Sequence, residues 1–205
     1  MNICISIGNC SKNELIHKLK ETEFAEIRLD LLDWITLTDI KEIFSNHKNL
    51  IATFRPGKVS EKERLGSLKT AVGAGAALVD IETENSAEFI SEITKTAHLH
   101  GTKIIISYHN YENTPALKPL QKIVVDALGK GADIVKVACK VNSQRDCARL
   151  LSLLDGKRVV VPAGMGKNGL VTRISALFLG APFTYAGFDH DPEIIKKIIS
   201  EISDA

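Results

Sequence analysis

Strong net charge is the first thing missing from this chain. Twenty-six Lys and Arg stand against 25 Asp and Glu, a formal net charge of +1. That balance gives no electrostatic reason to expect nucleic acid or an anionic membrane surface as a partner. Cysteine is also scarce. The four residues, at positions 4, 10, 139 and 147, include no CxxC pair, which argues against a disulfide framework or a zinc site and reads as reduced thiols of an intracellular protein. No apolar run approaches the ~18 residues of a membrane span. The opening MNICISIGNC lacks the basic region of a secretion signal. No linker, low-complexity tract or composition shift divides residues 1–205. These absences describe a soluble, cytoplasmic, single-domain protein with neither membrane nor nucleic-acid partner.

What is present is a core-forming composition. Hydrophobic residues make up 44% and charged residues 25%, so disordered, collagen-like and coiled-coil readings fail. Short runs rich in Ile, Val and Ala recur at residues 3–7, 25–30, 50–55, 77–82, 103–108, 132–138, 157–162 and 182–186. Helical stretches lie between them. Residues 12–22 follow Ser11 as N-cap, residues 117–129 stop at Gly129, and residues 143–154 start at Ser143. The last helix takes Asp191 as N-cap and Pro192 at its first position, with Ile194, Ile195, Ile198, Ile199 and Ile202 forming an apolar face. Eight apolar strands alternating with helices predict a parallel sheet with helical crossovers. Eight units of roughly 25 residues fit a small α/β protein of the (β/α)8 TIM-barrel class. A doubly wound sheet is the competing architecture.

In such a barrel the reactive end lies at the C-terminal ends of the strands, and titratable residues collect there. Strand two carries Glu26, Arg28 and Asp30 on one face. Strand three ends in Arg55, strand four in Asp80 and Glu82, strand five runs into His109, and strand one holds Ser6. Lys136, inside ADIVKVA and on the face of Ile134 and Ala138, is the most informative. A charged, unpaired lysine in a buried strand is costly. It is either held neutral, as an amine able to attack a carbonyl, or paired as a stabilising charge. His109 can relay a proton near neutral pH or simply serve as a loop hydrogen-bonding group. The Glu26–Arg28–Asp30 set can bind a ligand or neutralise itself. Arg55 and Arg173 suit a carboxylate or phosphate by their fork geometry. No histidine grouping predicts a metal site.

Residues 164–169, GMGKNG, match the GxGxxG dinucleotide fingerprint, with Asp189 twenty residues beyond. Too little chain follows to build a mononucleotide-binding half. In the seventh of eight units, the same loop can hold substrate or phosphate instead.

Taken together, EIRLD (26–30), TFR (53–55), SYHNY (107–111), ADIVKVA (132–138) and GMGKNGLVTR (164–173) resemble the type I 3-dehydroquinate dehydratase family across nearly the whole chain. The resemblance implies a (β/α)8 enzyme of the shikimate pathway acting on 3-dehydroquinate, without cofactor or metal, as a homodimer. It implies that Lys136 forms the imine and that His109 is general base and then general acid. The stretch Glu26, Ile27, Arg28 would bind substrate, Glu26 and Arg28 holding its hydroxyls. Arg55 and Arg173 would bind it too, Arg173 near the carboxylate, with Ser6 at the same site. Two departures stand out. Val59 occupies the place of a family glutamate four residues after the strand-three arginine, with Glu61 and Glu63 nearby. The strand-eight loop, AGFDHD at 186–191, lacks the family's serine and glutamine and offers Asp189 and His190. The competing readings are a sugar-phosphate aldolase, which would also use a strand-six lysine, and a catalytically silent binding module.

Overall fold

A computed structural model describes residues 3–57, 59–156, 159–187 and 191–203. Its strands are β1 (Ile3–Ile7), β2 (Ala25–Arg28), β3 (Leu50–Thr53), β4 (Leu78–Glu82), β5 (Lys103–Asn110), β6 (Ile134–Lys140), β7 (Val160–Met165) and β8 (Thr184–Ala186). The helices are α1 (Lys12–Lys20), α2 (Leu37–Asn46), α3 (Glu61–Gly73), α4 (Ala87–Leu99), α5 (Leu117–Gly129), α6 (Gln144–Leu151), α7 (Leu170–Phe178) and α8 (Pro192–Ser203). The strands follow one another in the order β7-β6-β5-β4-β3-β2-β1-β8. This is the (β/α)8 TIM-barrel fold, as the spacing predicts, and not a doubly wound sheet.

The chain divides into two compact units. One takes in Met1–Ile5, Ser107–Gly129 and Ile134–Ala205; the other takes in Ser6–Ile106 and Lys130–Asp133. In the first unit β1 pairs with β8, in parallel, from Ile3↔Thr184 to Ile5↔Ala186. There too β6 pairs with β7 from Val135↔Val160 to Lys140↔Met165. α8 is tied down by Asp191 Oδ1, which accepts from Glu193 N at 2.8 Å. Its apolar face is narrower than the five isoleucines suggest. Ile195 and Ile199 are buried with Ile174 and Ala186, and Ile198 packs beside them, whereas Ile194 and Ile202 remain 52% and 47% exposed. Five positions at helical spacing span a wider arc than one contact face covers.

In the second unit β2, β3 and β4 are parallel and in register through Arg28↔Thr53 and Thr53↔Asp80. Residues in register share a face, so these three polar side chains line one row. Three of its helices begin with capping boxes. Ser11 N donates to Glu14 at 2.8 Å, Thr36 N to Asp39 at 3.0 Å and Ser60 N to Glu63 at 3.0 Å. Each box satisfies backbone donors that a helix start otherwise leaves open. Ile27, Leu50, Ile51, Leu68 and Phe44 are fully buried and form the apolar interior of this unit.

Candidate functional site

In the first unit β6 continues two residues beyond the predicted run. Lys136 therefore sits within the strand, and Ala138 and Lys140 follow it on the same face. Their register partners on β7 are Val161, Ala163 and Met165. Two alanines side by side leave the wall next to Lys136 without bulk on the C-terminal side. Lys136 is only 4% exposed. Its Nζ lies 3.9 Å from the centroid of the Tyr185 ring on β8, a cation–π contact. Tyr185 is in turn held edge-on by Phe183, the centroids being 5.3 Å apart.

Arg173, buried on α7, donates from Nε to Gly164 O and from Nη1 to Tyr185 O, both at 3.1 Å. It thereby joins the end of β7 to the strand that carries the Tyr185 ring. His109 lies inside β5 rather than after it, and its ring stacks on Tyr111 at 6.1 Å and 14°. The neighbouring Asn110 Oδ1 accepts from Glu112 N and Asn113 N, which fixes the turn that follows.

The glycines of residues 164–169 are explained by packing. A Cβ on Gly164 would lie 2.6 Å from Thr172 Oγ1 and 2.8 Å from Gly169 Cα. Gly164 N–H donates to Thr172 Oγ1 at 2.9 Å, and Gly169 N–H to Gly166 O at 2.8 Å. Both amides are therefore engaged within the turn. Gly166 has φ 77°, and Lys140 Nζ approaches the space its side chain would fill.

In the second unit Glu26 is buried and accepts from Ser6 Oγ and, at 3.0 Å, from Thr53 Oγ1. Arg28 forms a two-pronged pair with Asp30, at 2.9 and 2.6 Å. That is an ion pair of the kind a self-neutralising set would form, while Glu26 takes hydrogen bonds from two hydroxyls. Ile27, between them, is fully buried on the opposite face of β2; only its backbone lies alongside the polar row. Arg55 Nε is 3.6 Å from Glu82 Oε1. Burial pushes the Glu82 carboxyl above its ordinary range, and the charge of Arg55 opposes that shift. Of the two glutamates near Val59, Glu63 is committed to the capping box of α3 and Glu61 accepts from Ser86 Oγ. A cavity of about 570 Å³ opens beside Asp30, Arg55, Val59 and Glu63.

The structure thus groups Lys136, His109 and Arg173 in one unit and Ser6, Glu26, Arg28 and Arg55 in the other. Asp189 and His190 lie outside the described residues. Sequence reasoning passed over Tyr185, Thr53 and Arg64; only the alternation of Tyr185 with Thr184 and Ala186 on β8 signals its inward placement. The first set offers an amine, an imidazole and an aromatic face, which suits carbonyl chemistry. The second offers a carboxylate with hydroxyl neighbours and guanidinium forks, which suits a small polyhydroxylated anion. No cluster of three or more metal-ligating side chains occurs among the described residues, and none of their helices is long and apolar enough to cross a membrane.

Comparison with known proteins agrees with this chemistry. The family model described as type I 3-dehydroquinase matches residues 3–195. The 3-dehydroquinate dehydratase of Methanococcus maripaludis (strain C5) is 34% identical over 199 residues, covering 91% of this chain and 89% of its own. The crystal structure of 3-dehydroquinate dehydratase from Aquifex aeolicus VF5 superposes with a TM-score of 0.85 at 25% identity, covering 98% of each chain. The type I enzyme of Clostridium difficile, solved with covalent modified comenic acid, gives a TM-score of 0.88 at 21% identity, over 99% of this chain and 92% of its own.

Proposed function

This chain belongs to the type I 3-dehydroquinase family, and we propose that it works through a covalent imine on Lys136. The activity, dehydration of 3-dehydroquinate to 3-dehydroshikimate in the shikimate pathway, follows from that membership. The observation that carries the mechanism is a lysine buried in β6 over an aromatic ring, with two alanines in register beside it.

The Lys136 amine attacks the substrate ketone, water leaves, and a protonated imine forms. That cation is an electron sink, so the adjacent C–H becomes acidic enough for the imidazole of His109 to remove its proton. The enamine then expels the hydroxyl on the next carbon, which takes the proton back from His109. Water hydrolyses the conjugated imine, freeing 3-dehydroshikimate and the lysine. Electrons are neither gained nor lost, and the iminium does what a cofactor or metal would otherwise be needed for. The Tyr185 ring supports this scheme, because a face that attracts an ammonium also stabilises an iminium.

Glu26 and Arg28 hold the substrate hydroxyls, with Ser6 and the backbone at Ile27 beside them. Arg55 and Arg173 bind the substrate, Arg173 towards its carboxylate. As the family resemblance implies, the chain acts as a homodimer with the substrate as its small-molecule partner. Its near-zero net charge, lack of a long apolar run and undivided composition support one catalytic domain that is cytoplasmic, with no nucleic-acid or membrane partner.

Borohydride reduction of the protein with 3-dehydroquinate, followed by peptide mass spectrometry, tests this. A substrate-dependent adduct on the peptide holding Lys136 is expected. His109→Ala should keep forming the adduct while turnover drops by about 10²–10⁴-fold. A folded protein that turns over substrate yet yields no adduct would refute the imine.

A further inference from the structure

We infer that Arg64 is a positioning residue that sets where Arg55 meets the substrate. The inference rests on the reading above, in which Arg55 binds 3-dehydroquinate. Arg64 lies on α3 and is 4% exposed, far more buried than an arginine with a merely solvating role. Its guanidinium is used in three directions. Nη1 donates to Phe54 O at 3.2 Å, Nη2 donates to Asn85 Oδ1 at 2.7 Å, and the plane lies 4.8 Å from the centroid of the Phe89 ring.

What these contacts hold is the point. Phe54 is the residue immediately before Arg55. Asn85 is anchored in turn to Glu82, its side-chain Nδ2 donating to Glu82 O at 2.9 Å and its backbone N to the same carbonyl at 3.2 Å. Glu82 is the carboxylate that faces Arg55 at 3.6 Å. Arg64 therefore grips the backbone on both sides of the Arg55–Glu82 pair, one side directly and the other through Asn85. Strand ends β3 and β4 lead into separate loops, and this fork joins them. A lysine keeps the charge but not the fixed fork, so it cannot reach both acceptors and stack on Phe89 together.

The decisive comparison is Arg64→Lys made alone and in an Arg55→Leu background, with Asn85→Ala as a second, milder way to release the clamp. Thermal melts verify that each variant is folded. Arg64→Lys and Asn85→Ala are expected to raise KM by about tenfold, the scale of one charge-assisted hydrogen bond to substrate, with kcat changed less than about threefold. In the Arg55→Leu background the same changes should add less than about twofold, because the group they position is gone. NMR titration of Glu82 gives an independent reading. Releasing Arg55 removes its downward pull, so the Glu82 carboxyl should titrate higher in Arg64→Lys than in the wild type.

A KM effect of equal size in both backgrounds would overturn the inference and leave Arg64 a stabilising residue only. So would an unmoved KM together with an unmoved Glu82. Should Arg55→Leu leave KM unchanged while Arg64→Lys still shifts Glu82, the placement of Arg55 by Arg64 stands and the substrate role of Arg55 falls.

Discussion

Thr172 gives the sharpest test of how the end of β7 is built. It is fully buried, and its hydroxyl accepts from Gly164 N–H at 2.9 Å and donates to Gly169 O at 2.7 Å. Thr172→Val removes that hydroxyl at nearly constant volume, leaving a buried backbone donor without its partner. Such a group costs about 1–3 kcal/mol, and the carbonyl of Gly169 loses a bond as well, so about 2–3 kcal/mol is expected in total. For a chain of this size that corresponds to roughly 4–12 °C in Tm. Thr172→Ser keeps the hydroxyl and loses one methyl group, about 1 kcal/mol. Urea unfolding at 25 °C, with the slope m unchanged across the three proteins, reads the difference directly. Valine should be worse than serine by at least about 1 kcal/mol. Serine as damaging as valine, or valine within about 0.5 kcal/mol of the wild type, would refute the claim that the hydroxyl holds the turn. Because Arg173 is the next residue and bonds Gly164 O, kcat/KM should fall in the valine variant along with stability.

Asp39 is held down to about 2, from an ordinary 3.8, by Lys12 Nζ at 2.6 Å and by the hydroxyl and amide of Thr36. A depressed carboxylate stabilises the folded state at pH above its ordinary value and loses that contribution as pH falls towards 2. Carboxyl NMR should find this low midpoint, and Lys12→Met should move it upward; an ordinary midpoint in the wild type would contradict the bridge. Burial pushes the Cys139 thiol up to about 12. It should resist thiol-specific reagents in the folded protein at pH 8 and react only on unfolding, measured by reagent release with and without denaturant.

The parallel α/β class was legible because an apolar run followed by a helix repeats along the chain. A doubly wound sheet shares that pattern, and it is the count of eight repeats of about 25 residues that fits the barrel. Strand ends were less so. The sixth run was read as stopping at residue 138, but β6 extends to Lys140, since polar residues at the open end of a barrel strand break the apolar pattern without ending the pairing. The same masking affects α3, whose buried residues Arg64, Ser67, Leu68, Ala71 and Val72 include a charge and a hydroxyl. Lys136 stood out because a lysine is out of place among valines. Tyr185 and Arg64 did not, since an aromatic in a short strand and an arginine on a helix are ordinary in sequence. Their meaning lies in the carbonyls and rings they meet, which come from other parts of the chain. In the glycine-rich loop, glycines at 164 and 169 are required by close backbone contact between the two positions, a demand that a motif match cannot show.

The pairing of the first strand with the last carries a consequence for how the protein is made. Ile3 lies opposite Thr184, so a segment made early in this stretch must wait for about 180 further residues before it meets its partner. At 5–20 residues per second that wait is roughly 9–36 s. Meanwhile the run from Ser6 to Ile106, most of one compact unit, can form its β2–β3–β4 ladder from what has already emerged. The first three residues of β1 spend that interval as an apolar segment without a β8 partner. This is the window in which a chaperone would find the nascent chain.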